Sequence, residues 1–69
     1  MKYYIWINRN ASIVEILQLK DQVQMIDPQC VYVESLGSST ALYAYVKKAD
    51  RETLIKHPAV STIKPNCFS

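Results

Sequence analysis

His57 is the single histidine of the chain, and imidazole is the side chain whose charge changes most readily near neutral pH. It stands against Pro58 at what reads as a helix end, where it can reach the last helical carbonyls. No Ser or Cys has a claim from spacing to be its nucleophile, so we read His57 as structural and expect no triad. The carboxylates Glu15, Asp21, Asp27, Glu34, Asp50 and Glu52 match no metal-binding loop, and two of them fall where helices should begin. Helix caps and solvated faces account for them. Cys30 and Cys67 are too few and too far apart for a zinc ribbon or a disulfide framework, and we read both as thiols. Arg9 lies in a short loop without glycine, and a lone cation there cradles an anion poorly. These residues predict no catalytic group, no metal and no cofactor: the chain should act by binding and not as an enzyme.

The bulk properties agree. Sixty-nine residues make a single domain at most, one that buries only about 60% of its unfolded surface. A hydrophobic share of 49% with 20% charged residues and one glycine is enough apolar surface to offset the entropy of folding. Eight Lys/Arg against six Asp/Glu give a formal charge of +2, scattered along the chain with only Lys47 and Lys48 adjacent, which argues weakly for nucleic acid. No apolar run approaches the ~20 residues of a membrane span, and residues 1–20 lack the basic, apolar and small-residue regions of a secretory signal. The expectation is a cytoplasmic chain with no membrane partner.

Six elements must position the remaining side chains. Residues 3–7, Tyr-Tyr-Ile-Trp-Ile, suit a strand. Ser12 with Glu15 three positions later forms a capping box, opening a helix whose stripe of Ile16, Leu19, Val23 and Ile26 should lie on a sheet until Asp27-Pro28 ends it. A second strand over 31–34 and a third over 41–47 should be joined by a turn at Gly37-Ser38-Ser39. Asp50 should cap a short helix reaching Lys56, with Leu54 and Ile55 inward, and His57-Pro58 should stop it. A last strand over 60–64 ends at Pro65, leaving a short tail of Asn66, Cys67, Phe68 and Ser69.

This β-α-β-β-α-β order, with right-handed crossovers, predicts an α+β ferredoxin-like sandwich: strand order 4-1-3-2 and both helices on one face. The other face is left open. If Ile5, Ile7, Val31, Val33, Leu42, Ala44, Val46 and Ile63 point at the helices, their neighbours Tyr4, Trp6, Tyr32, Tyr43 and Tyr45 point away. The only Trp and four of the Tyr then share a face that nothing covers, and such a patch marks a partner surface. Cys30 and Cys67 fall at opposite edges, three spacings of about 4.8 Å apart, beyond the ~7 Å Cα limit of a disulfide.

Several families of this topology can be tested by their signatures. Copper chaperones carry Met-x-Cys-x-x-Cys after the first strand, where this chain has Asn8-Arg9-Asn10, and acylphosphatases carry a glycine-rich phosphate loop there. RNA-recognition motifs stack bases on central-strand aromatics, as Tyr4, Trp6, Tyr43 and Tyr45 would allow, but the third strand lacks their basic-Gly-aromatic start. The stretch Leu54-Ile55-Lys56-His57-Pro58-Ala59-Val60-Ser61-Thr62-Ile63-Lys64-Pro65-Asn66 resembles the end of the subtilisin propeptides, the peptidase inhibitor I9 family, with their leucine-bearing helix, His-Pro-x-Val turn and final strand. Lys2 to Asn8 resembles their opening strand, and Ser12 to Val23 their first helix.

That resemblance implies an inhibitor or folding chaperone of a subtilisin-type serine protease. Its open sheet face, with Tyr4, Trp6, Tyr32, Glu34, Tyr43 and Tyr45, would dock on two protease helices, Glu34 near the positive end of one. Asn66, Cys67, Phe68 and Ser69 would enter the cleft as a product-like tail. The chain departs from the family in carrying Leu42-Tyr43 where a Gly-Phe pair is usual, and in a shorter tail. The alternatives are a small protein-protein interaction module, of viral or host kind or a homodimer paired through a sheet edge, and single-stranded nucleic-acid binding on the aromatic face.

Overall fold

A computed structural model describes residues 2–34 and 40–65. The elements are β1 (Lys2–Ile7), α1 (Ile13–Ile26), β2 (Val31–Glu34), β3 (Thr40–Tyr45), α2 (Lys48–Leu54) and β4 (Val60–Pro65). All strand pairs are antiparallel, and the order β2-β3-β1-β4 is the expected 4-1-3-2 read from the other edge. The turn expected at Gly37-Ser38-Ser39 and the tail at 66–69 lie outside the described residues.

β1 is a central strand because its β-branched and aromatic residues can be buried on both faces while both its edges are paired. Ile5 faces Leu42 on one side and Ile63 on the other, and it is fully buried. Around it Ile7, Leu42, Ala44 and Val60 of the strands, with Val46 just past β3, which ends at Tyr45 and not at 47, meet Leu19 and Val23 of α1 and Leu54 of α2. Burying such side chains is worth about 1.5–3 kcal/mol each, and it is what a domain this small depends on.

α1 starts where its capping box requires. The Glu15 N–H donates to Ser12 Oγ at 3.2 Å, and the Ser12 N–H donates to Glu15 Oε1 at 2.9 Å. α2 begins earlier than Asp50: Lys47 occupies the N-cap without a side-chain bond, and Asp50 sits in the first turn, where its charge meets the positive helix end. The helix stops at Leu54. Leu54, the last helical residue, is buried as expected, whereas Ile55, at the C-cap, does not face inward and is 46% exposed. Arg51 fastens α2 down by donating from Nη1 to the Val46 carbonyl at 2.9 Å and laying its guanidinium 4.2 Å from the Tyr3 ring centre. His57 braces the following turn: its imidazole accepts, through Nδ1, the Ala59 N–H at 3.0 Å, while it is its backbone N–H that bonds back to the Leu54 carbonyl, at 2.9 Å.

The phase of β2 is opposite to the expectation. Val31 faces Tyr43 and Val33 faces Ala41, so both valines stand on the open face, while Tyr32 faces Leu42 and Glu34 faces Thr40 on the helix side. Lys20 of α1 lies over the Tyr32 ring at 4.2 Å. The residue that sets this phase is Cys30, which packs against the core immediately before the strand begins. Free cysteine behaves as a small buried hydrophobe. Burial, and then the nearby Asp27 charge, push its thiol above the usual range.

Asp27 ties the end of α1 to the sheet. Its carboxylate accepts the Gln29 N–H at Oδ1 and the Tyr45 N–H at Oδ2, each at 3.0 Å, completing the β3 edge just beyond the reach of β2. The Tyr45 and Gln29 bonds, chiefly, hold the Asp27 carboxyl below the ordinary 3.8, with a smaller contribution from Lys2. A carboxyl whose folded value is depressed contributes stability that is present above its unfolded value and lost as pH falls through the folded one. Asp27→Asn should therefore melt lower than the parent at pH 7, and the gap should close as pH falls below about 4. Thermal unfolding followed by circular dichroism across this window checks it; a gap independent of pH would show that the carboxylate charge is not what holds the corner.

Candidate functional site

The open face is built by the alternate residues of all four strands. Tyr4 faces Tyr43, Lys2 faces Tyr45 and Trp6 faces Ala41 across the central pair, with Lys64 and Thr62 of β4 opposite Tyr4 and Trp6. Val31 and Val33 extend the surface on the β2 side. Because paired residues point to the same side of a sheet, this register alone gathers the rings. The Tyr4 and Tyr43 ring centres are 4.6 Å apart at an interplanar angle of 31°, and Tyr4 and Trp6 are 6.0 Å apart at 30°. These are offset arrangements of the kind aromatic pairs prefer.

Lys2 completes the row, its ammonium 5.0 Å from the Tyr43 ring centre and 5.3 Å from that of Tyr45. Tyr45 is 56% exposed, whereas Tyr4, Trp6 and Tyr43 are half-buried. Ala41 is fully buried although no helix covers its side, and Trp6 and Val33 flank it in the register. The result is an apolar, ring-rich platform bearing the cations Lys2 and Lys64.

Of the side chains expected on this face, Tyr4, Trp6, Tyr43 and Tyr45 are brought together and Tyr32 and Glu34 are not. Tyr32 belongs to the helix side, under Lys20, and Glu34 shares that side. Removing Glu34 changes the electrostatics, since no carboxylate then occupies a strand position of the open face among the described residues. Asp27 stands only at the rim, near Lys2. Val31, 50% exposed, joins the platform unexpectedly, and the burial tendency of Cys30 was the signal that could have placed it there.

A second apolar group lies on α1, outside the stripe that its sequence pattern marks. Ile13, Val14 and Leu17 of α1 are 76%, 64% and 53% exposed, and their spacing puts them together on one side of its first turns, off the inward stripe. Among the described residues no group of His, Cys, Asp and Glu could hold a metal ion, and no helix is long and apolar enough to cross a membrane. No family model, curated protein or solved structure matches this chain. The likeness to subtilisin propeptides therefore rests on the residues that carry it.

Platform rings contribute to stability through contact with each other, and core side chains through burial under the helices. Tyr43→Ala should lower stability by about 1 kcal/mol and leave a folded domain, whereas Ile5→Ala should cost about 2–5 kcal/mol. Urea titration of both variants measures the difference; an unfolded Tyr43→Ala would mean that this face is part of the core.

Proposed function

We propose that this chain is a non-catalytic binding domain that docks a protein partner on the open face of its sheet, and that the partner is a subtilisin-type serine protease. The observation that carries the docking reading is the contiguous row of Tyr4, Trp6, Tyr43 and Tyr45 on a face no helix covers. Tyr and Trp are the residues that most often dominate binding energy when a partner desolvates them. The valines at 31 and 33 widen the apolar area beside them.

The protease as partner is supported by the propeptide-like run through Leu54, His57-Pro58, Val60 and Ile63, which forms the α2 end, the turn braced by His57 and β4. β4 is an edge strand, and Pro65 faces Tyr3 at its end. In this reading the platform supplies the affinity and the tail enters the protease cleft at high local concentration, giving competitive occlusion or assisting the protease to fold. The departure of Glu34 from the face removes the acidic contact that the resemblance implied, and leaves docking to the rings and to Lys2 and Lys64.

Titration of the protein against a subtilisin-type protease, followed by hydrolysis of a chromogenic peptide, should give competitive inhibition. Trp6→Ala should weaken it by about 2 kcal/mol or more, the scale of a binding hot spot. Removal of residues 66–69 should abolish inhibition while the shortened chain still binds the protease in a pull-down. Absence of both inhibition and binding across several such proteases would reject the protease as partner, and inhibition unchanged by the truncation would reject the tail mechanism.

A further inference from the structure

β2 is the edge strand beside β3, and its side chains are exposed along most of its length, Val31, Tyr32 and Glu34 among them. An edge of this kind offers its outward N–H and C=O groups to another strand. It has neither the proline nor the register shift found in β4.

The helix above it continues the same surface. Lys20 lies 4.2 Å from the Tyr32 ring centre, which places that flank of α1 over β2. Residues four and three apart share a face of a helix, so Ile13 and Leu17, both exposed, stand in line with Lys20 and outside the buried stripe of Leu19 and Val23. β1 and β2 are each antiparallel to β3 and so parallel to one another. α1 connects them and runs back the opposite way, so its line from Lys20 to Ile13 points toward the Glu34 end of β2. Three helical residues rise about 4.5 Å, a little more than one strand residue of about 3.3 Å, and Leu17 is therefore level with Val33.

We propose that this edge is a homodimer interface: β2 pairs antiparallel with β2 of a second copy about a two-fold axis at Val33, and the Ile13 and Leu17 flanks of the two α1 helices meet above the joint. Facing residues share a side of the sheet, so a two-fold axis sets each residue opposite one of its own parity. An axis at Tyr32 would bring both copies of Lys20 together. An axis at Val33 instead sets Val33 against Val33 on the open side and Tyr32 against Glu34 on the helix side, twice over. Each Lys20, resting on its own Tyr32, then meets the Glu34 carboxylate of the other copy, and opposite charges facing across strands favour pairing. A two-fold interface must be complementary to itself, and the cation, carboxylate and apolar residues of this edge are arranged so that one axis matches all of them. The aromatic row lies on the opposite face from α1, so the dimer presents two platforms side by side and is independent of the protease reading.

Sedimentation equilibrium of the whole chain should show a mass rising with concentration from 7.9 kDa toward twice that value. Lys20→Glu and Glu34→Lys should each weaken self-association at least about tenfold, the scale of one charged contact, with an unchanged circular dichroism spectrum. An equimolar mixture of these two variants should dimerise again, because each then offers the charge that the other lacks; a pairing within one chain could not be restored by mixing. Leu17→Lys, an exposed helical position, should weaken the dimer alone and in either mixture, whereas Lys48→Glu on α2 should leave it intact. The proposal is overturned if the parent chain stays monomeric up to millimolar concentration, if a dimer forms that Leu17→Lys and both charge variants leave unchanged, or if the mixture of charge variants stays monomeric. None of these readouts involves a protease, so they stand or fall apart from the inhibition assay.

Discussion

The facing of Tyr4 and Tyr43 across the two central strands is the register on which both sides of this sheet depend. It puts Ile5 opposite Leu42 beneath the helices and, one position along, the ring pair on the open side. Side chains alternate strictly, so a slip of one residue would bring the tyrosines under α1 and α2 and expose the isoleucines. Core and platform are therefore one choice made twice. The aromatic row cannot be moved without dismantling the cluster of Ile5, Ile7, Leu42 and Ala44, and that cluster holds the domain together.

The sequence is most legible where two local signals agree. α1 combines a capping box with an apolar stripe, and Leu19 and Val23 are buried as that stripe requires. In β1 Ile5 and Ile7 share one parity while Tyr4 and Trp6 share the other, and in β3 Leu42 and Ala44 alternate with Tyr43 and Tyr45, a contrast that specifies phase as well as period. β2 lacks the contrast. Val-Tyr-Val-Glu is bulky at both parities, so alternation gives its period and leaves its phase to whatever the chain fixes first. What the chain fixes is the corner before the strand, where the Asp27 carboxylate binds the Tyr45 N–H and Cys30 turns into the core. The α2 boundary was obscured for a similar reason: Asp50 is a good cap by type, but the first turn of a helix rewards an acidic side chain as well.

Moving Glu34 to the helix side has a consequence for recognition. A face with an acidic member can neutralise its own lysines, whereas the observed one pairs rings with Lys2 and Lys64 and has Arg9 near its end. Lys2 is spent on the platform itself, its ammonium over Tyr43 and Tyr45. Lys64 stands opposite Tyr4 in the register, and Arg9 follows the end of β1. At the Lys2 end of the row the cation-aromatic contact has Asp27 at its rim.

The edges of the sheet argue that the face, and not strand addition, is the main recognition surface on the β4 side. β4 carries Lys64, ends in Pro65 and is bulged at Ser61, and charge, proline and bulges are the features that keep an edge from accepting another strand. β2, with Val31 and Tyr32 half-exposed, is less protected, and Glu34 is the one charged residue along it. The platform is also constrained by the small core beneath it. With the deepest burial shared by Ile5, Leu19, Val23 and Leu54, the contacts among Tyr4, Trp6 and Tyr43 are part of what stabilises the sheet and not an ornament on it. Rings that already rest on one another lose little further freedom when a partner covers them, so ordering them for the fold also prepares them for binding.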